Sequence, residues 1–288
     1  MTEILRAFIR IFLLCLAINA MRNIGLCLLH ADGLVNISAI TALIVFSETQ
    51  SFAVSIFAGA LVTLAINISF IYLTKKKGAS DIVYGIAMNL ILRGLSGLML
   101  YLYAGDLAMS SSVKIDFSVN IFGVDIFIVL GLLLSVIYYI FLYKTKSGLE
   151  LRAVGLDEKK ALFRKINIGR ANFTANLFAS VFAALVGSFL SLSYFSYFTE
   201  NISQNVGYVC LALEGFSAIH PILTPIASLV YAVFNYLAGS LQSLGFINYK
   251  LLDLIPYFVI LMLLYFLKGK GKLQGKNFYD IIKKEVKE

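Results

Sequence analysis

The sequence is poor in almost everything that a water-soluble enzyme is built around. Only 14% of its 288 residues are charged, against roughly a quarter in soluble domains, and 60% are hydrophobic, which excludes an ordinary cytosolic fold. Histidine occurs twice, as His30 and His220, at predicted helix ends and without a partner at metal-ligand spacing. Metalloprotease spacing is missing, as is the Gly-x-Ser-x-Gly nucleophile turn, and the acids fall almost entirely in predicted loops. The three cysteines, Cys15, Cys27 and Cys210, sit in apolar runs and read as small hydrophobes rather than a disulfide framework or a metal site. A glycine- and lysine-rich tail, Gly269 to Lys276, lacks the spacer, the Ser or Thr and the preceding strand of a phosphate loop. No catalytic residue, metal or cofactor is therefore expected in this chain, and it does not hydrolyse ATP itself.

Long apolar runs are what the sequence does have. Backbone amides in hydrocarbon must be satisfied within the segment, and short connections favour helices over a barrel, so the fold class is all-α: a polytopic membrane bundle of about eight or nine segments. Full-length candidates are Ala7 to Leu29, Phe52 to Leu73, Ile82 to Tyr103, Ile121 to Tyr143, Ala171 to Phe195 and Ile222 to Leu244, with a shorter one at Leu254 to Leu267. Two further runs, Leu34 to Phe46 and Val206 to Ile219, span about 20 Å each and are expected to be broken or half-membrane helices.

The net charge of +8 would suit a nucleic-acid partner in a soluble protein, but here it maps onto loops. Eight of the 24 Lys and Arg lie between Lys144 and Arg170, seven between Lys268 and Lys287, and three are Lys75, Lys76 and Lys77. These patches are assigned to the cytoplasmic side. The chain then divides into a first membrane half (1–143), a cytoplasmic segment (144–170), a second membrane half (171–267) and a basic cytoplasmic tail (268–288). Nine crossings put the N-terminus outside; a re-entrant Leu34 to Phe46 would put it inside.

The two halves echo each other as long, short and long helices, with a Gly/Asn element at Gly33 to Ser38 in one and at Asn201 to Gly207 in the other. Such matched interruptions point to a solute path near the midplane, or to packing kinks. Two ionisable residues, Arg93 and Glu214, lie deep in apolar runs. Each is expected to face a polar cavity or a partner, and they can pair with each other, so a path lining and a buried salt bridge are both open. Asn36 and Asn89 are further candidates for the path, although interhelical hydrogen bonding explains an intramembrane Asn equally well.

The segment Ser147 to Phe163 alternates apolar and charged residues, and Leu151, Val154, Ala161 and Leu162 share a face if two short helices meet around Gly155. It suits either the lipid headgroups or a groove on a partner protein. The run Gly148-Leu149-Glu150-Leu151-Arg152-Ala153-Val154-Gly155, followed by Ala161 and Ile166-Asn167-Ile168, resembles the conserved cytoplasmic pattern of membrane subunits in ABC importers of the simple-sugar and nucleoside class, the branched-chain amino acid and ribose type. Gly33-Leu34-Val35-Asn36-Ile37, Gly85 to Leu90, and Phe198 to Tyr208 resemble other pieces of the same family in order and spacing. The likeness runs from Gly33 to Leu267.

Membership implies a permease worked by alternating access. A separate ATP-binding subunit, holding ATP and Mg, would grip the coupling segment through Gly148, Arg152, Gly155, Asp157, Lys159 and Ala161. An extracytoplasmic binding protein or lipoprotein would deliver the solute, and a second permease, identical or sister, would complete the pair in a bacterial-type inner membrane. Where the family carries Glu-Arg-x-Gly this chain has His30-Ala31-Asp32-Gly33, and the glycines and acid after Asn36-Ile37 are lost. The solute therefore does not transfer from the resemblance: nucleosides lead, and riboflavin and simple sugars follow. An ion-coupled secondary transporter of a small polar solute is the alternative.

Overall fold

The computed structural model describes residues 2–105, 120–121, 124–217 and 223–243, together with 258 and 262. Ten α-helices follow one another in these residues: α1 (Thr2–Arg22), α2 (Ala31–Thr49), α3 (Phe52–Ile71), α4 (Asp81–Ala104), α5 (Ile126–Lys144), α6 (Lys146–Leu156), α7 (Glu158–Phe163), α8 (Ile168–Phe189), α9 (Val206–Ser217) and α10 (Leu223–Ser243). α3 and α8 each end in a π-helical turn, Tyr72–Lys76 and Leu190–Tyr194. A two-residue antiparallel pair, Asn120–Ile121 with Val124–Asp125, precedes α5. Seven of the helices (α1 to α5, α8 and α10) are long and apolar enough to cross a membrane, and α9 is a shorter apolar helix. The chain is a multi-pass helical membrane protein. The expected helix at Leu254 to Leu267 lies outside the described residues.

The chain forms two compact units, Ile9–Leu211 and the remainder, Met1–Phe8 with Ala212–Glu288. In the larger unit α2 is the central element and packs against α3, α4 and α8. It carries Asp32, Asn36, Ser38 and Thr41 yet is buried along most of its length, whereas α3, α4 and α5 turn Phe57, Leu61, Leu90, Leu102, Leu133 and Val136 outward. That arrangement suits hydrocarbon, where polar helices gain by facing one another and apolar faces meet lipid at no cost. Close approach is built from small residues. The Ser38 hydroxyl donates to the Ala183 carbonyl of α8 at 3.3 Å, and any side chain at Gly187 would run into Ser38 and the Val35 carbonyl. In the smaller unit, α10 buries Thr224, Ala227, Ser228, Tyr231, Ala232 and Ala238, a helical stripe, and exposes Ile226, Leu229 and Leu237.

Two expectations need correction. The run from Ala7 to Leu29 is not one helix: α1 stops at Arg22, where the Asn23 amide bonds back to the Asn19 carbonyl at 2.9 Å and Gly25 turns with φ 77°. Residues 23–30 form a non-helical connection, and α2 runs past both ends of the predicted Leu34 to Phe46, which is therefore not a half-length helix. With 19 residues, about 28 Å at 1.5 Å each, α2 is long enough to cross. The Asn23 backbone lies against Gly155, which places the C-terminal end of α1 on the side of the basic segment 144–170.

Candidate functional site

The two Gly/Asn elements that the sequence singles out meet in space. Asp32, in the first turn of α2, accepts the Gly207 N–H at the start of α9 (2.9 Å), and Asn36, one turn on, accepts the Ser203 N–H (3.1 Å). Asn89 of α4 completes the cluster, taking the Gly33 N–H at 2.7 Å and donating to the Tyr208 hydroxyl at 3.0 Å. The first N–H groups of a helix have no partner within it, so Asn89 and Asp32 satisfy N–H groups in the first turns of α2 and α9, and Asn36 satisfies one in the turn before α9, all within an apolar interior. A second polar chain runs alongside. His30 Nε2 lies 2.9 Å from Asn67 Oδ1, the Asn67 amide donates to Ser180 (3.0 Å), and the Ser180 hydroxyl donates to Asn176 (3.1 Å), tying α2, α3 and α8 together.

Of the four residues proposed to line a solute path, Asn36 and Asn89 fall in this cluster. Glu214 is buried on α9. Arg93 faces an acidic partner, but that partner is Glu200, 3.7 Å from its Nε, rather than Glu214, and the side chain is 43% exposed. A long guanidinium on a helix can reach past its own depth, which relieves the cost that suggested a buried partner. Sequence reasoning missed Asp32, Ser203 and Gly207. It placed the acids in loops, yet Asp32 sits inside a helix at 3% exposure, and the available signal was an acid between Gly/Asn elements within an apolar run.

The segment 144–170 is a compact elbow. Thr145 caps α6 by accepting the Gly148 N–H (3.1 Å), Asp157 caps α7 by accepting the Lys160 N–H (3.1 Å), and Asn167 caps α8 through the Arg170 N–H (3.0 Å). The break therefore falls at Asp157, not at Gly155. Gly155 is helical, and its Cα lies against the Asn23 backbone so closely that a side chain would collide. Gly148 meets the Phe141 and Leu142 carbonyls in the same way. Val154, Ala161 and Ala171 form a small core with Ile166 and Ile168, while the Arg152 guanidinium lies 4.8 Å over the Tyr143 ring. Lys75 reaches Glu158 at 3.1 Å. The bond and charge of Lys160 hold the Asp157 carboxyl below the usual carboxylate range. Leu162 does not join the buried face with Leu151, Val154 and Ala161. It is exposed with Leu149, Leu156 and Phe163, the last at 89%, and Lys159 is exposed beside them.

Among the described residues no group of three or more His, Cys, Asp or Glu could hold a metal ion. No solved structure gives a significant match to this chain. Over 283 residues it is 24% identical to a nucleoside ABC transporter permease, NupC, of Lactococcus lactis subsp. cremoris, covering 89% of this chain and 87% of that one. It is 24% identical over 242 residues to the uncharacterized protein MG121 of Mycoplasma genitalium, covering 81% and 78%. A putative glucose ABC transporter permease, TsgC13, of Haloferax volcanii is 26% identical over 116 residues, 40% of this chain and 35% of its own. The model of the permease component of branched-chain amino acid transport systems matches residues 1–267. Because that match covers most of the chain, the chain belongs to this family of ABC transporter permeases and, as a permease component, is not itself an enzyme.

Proposed function

We propose that the chain is the membrane subunit of an ATP-driven importer of nucleosides, with simple sugars and then riboflavin as the next solute classes, in the inner membrane. The elbow carries this reading. Its exposed Leu149, Leu156, Leu162 and Phe163 form an apolar surface in an otherwise aqueous, basic connection, fixed by caps and by contacts with α1, α5 and α8. Such a surface gains by entering a groove on a partner protein. That partner is the ATP-binding subunit, where ATP and Mg are held, and Gly148, Arg152, Gly155, Asp157, Lys159 and Ala161 shape or hold the surface it grips. A second permease and an extracytoplasmic solute-binding protein complete the assembly, and lipid covers the outward faces of α3, α4 and α5.

The solute class is supported by the nucleoside permease that this chain matches over most of both lengths. The path runs past Asn36 and Asn89, where the turn before α9 and the start of α2 are held by side chains, and Glu214 lies along α9. Arg93 with Glu200 belongs to its polar margin.

Right-side-out membrane vesicles containing the whole assembly, loaded with ATP and given a labelled nucleoside from outside, test this reading. Uptake is expected to need ATP and to survive a protonophore. Uptake that persists without ATP and collapses with the proton gradient would instead establish ion coupling.

A further inference from the structure

We propose that Asp32 and Ser203 together form a site that reads adjacent hydroxyl groups on the sugar portion of the solute, with Asp32 the specificity-determining residue. The inference rests on the permease reading above and deepens it.

Capping does not explain Asp32. To hold the Gly207 N–H needs one acceptor oxygen, and Asn or Ser would supply it without placing a carboxylate in an apolar interior. Oδ1 performs that task; Oδ2 is buried and makes no hydrogen bond of normal geometry. The Ser203 hydroxyl lies within hydrogen-bonding reach of this carboxylate, and the Tyr208 N–H approaches it as well. The Ser203 backbone N–H is taken by Asn36, and its hydroxyl oxygen, on a residue 2% exposed, makes no hydrogen bond of normal geometry. Two polar groups from different elements thus converge with only a poorly aligned contact between them, where hydrogen-bonding capacity left unused costs free energy.

The chemistry of the pair selects the ligand. A carboxylate oxygen can only accept, whereas a serine hydroxyl both donates and accepts. Neighbouring hydroxyls of a ribose or hexose match this set: one donates to Oδ2 while the next exchanges a bond with Ser203. A phosphate or carboxylate ligand would be repelled. The buried Arg10 guanidinium lies near enough to offset part of the Asp32 charge while the site is empty. In this conformation the site is shut, because a side chain at Gly207 would start only 2.7 Å from Oδ2. Access requires the start of α9 to draw away from the first turn of α2, so solute binding and opening of the clasp compete for the same carboxylate.

The test uses cells lacking their own nucleoside uptake and expressing the whole assembly, with uridine and 2′,3′-dideoxyuridine as the paired solutes. Each rate is divided by the wild-type rate, which cancels selection by the binding protein. Asp32→Asn keeps an oxygen for Gly207 and is expected to lower uridine uptake at least about tenfold while changing dideoxyuridine uptake less than about twofold. Ser203→Ala is expected to shift the same ratio by about threefold. Equal losses on both solutes would overturn the inference and leave Asp32 a structural cap. Should Asp32→Asn fail to accumulate, the Ser203→Ala ratio decides, and an unchanged ratio overturns it. A wild-type assembly that imports neither uridine nor glucose would defeat the functional reading itself, a separate outcome.

Discussion

The clasp and the elbow are held by the same device, a side-chain oxygen accepting a backbone N–H, but they differ in reach. In the elbow, cap and N–H are three residues apart: Thr145 with Gly148, Asp157 with Lys160, Asn167 with Arg170. In the clasp they are 56, 167 and 175 residues apart, at Asn89 with Gly33, Asn36 with Ser203 and Asp32 with Gly207. A local cap survives any rigid movement of the element that carries it. A long-range one breaks when its two elements separate. The elbow is thus suited to transmit displacement unchanged, and the clasp to respond to it.

Breaking the elbow's seat should have the largest effect. In Gly155→Leu the new side chain must enter the Asn23 backbone, so the elbow lifts from α1; nucleoside uptake is expected to fall at least about tenfold at normal membrane abundance, since overpacking of this kind costs roughly 1–3 kcal/mol. Uptake in vesicles with matched permease content checks it. Next comes the clasp. Asn36→Ala strands the buried Ser203 N–H at a cost of about 1–3 kcal/mol, read as a lower melting temperature in detergent, and Asn36→Asp, which keeps an acceptor, should recover part of it.

A smaller loss is expected from a local cap. Asp157→Ala should speed amide hydrogen exchange in residues 158–163, with Asp157→Asn close to wild type. The sign of its pH dependence follows from Lys160, which lowers the Asp157 pKa below the ordinary 3.8. The cap is fully present above that ordinary value and is lost only as pH falls through the lowered one, so exchange corrected for intrinsic rates should be the same at pH 7 and pH 5. The smallest effect belongs to Arg93→Gln. Both partners of the Arg93 and Glu200 pair are largely exposed, and a melting shift above about 2 °C would show that the pair matters more than its exposure allows.

The same contrast in reach explains what could be read in advance. Helix runs, the basic side and the elbow's position follow from composition and local pattern, because their determinants are neighbours in sequence. The break in the elbow was misplaced because a glycine suggests a turn; Gly155 serves close approach instead, and the turn belongs to Asp157 with its own cap. The clasp was legible only as two similar Gly/Asn elements. That Asp32 would meet Gly207 depends on how α2 and the start of α9 pack, and no periodicity within either element records it. The partner expected for Arg93 is Glu200 rather than Glu214, because the guanidinium ends where its stem can carry it.

The mid-chain position of the elbow understates what it is fastened to. Gly148 abuts the end of α5, Ala161 and Val154 rest on the start of α8, Gly155 touches the residue after α1, and Lys75 at the π-helical end of α3 reaches Glu158. Four spanning rods therefore share one handle. A push delivered there becomes a torque on the whole larger unit, and α1, remote in sequence, feels it as directly as the two helices the handle joins.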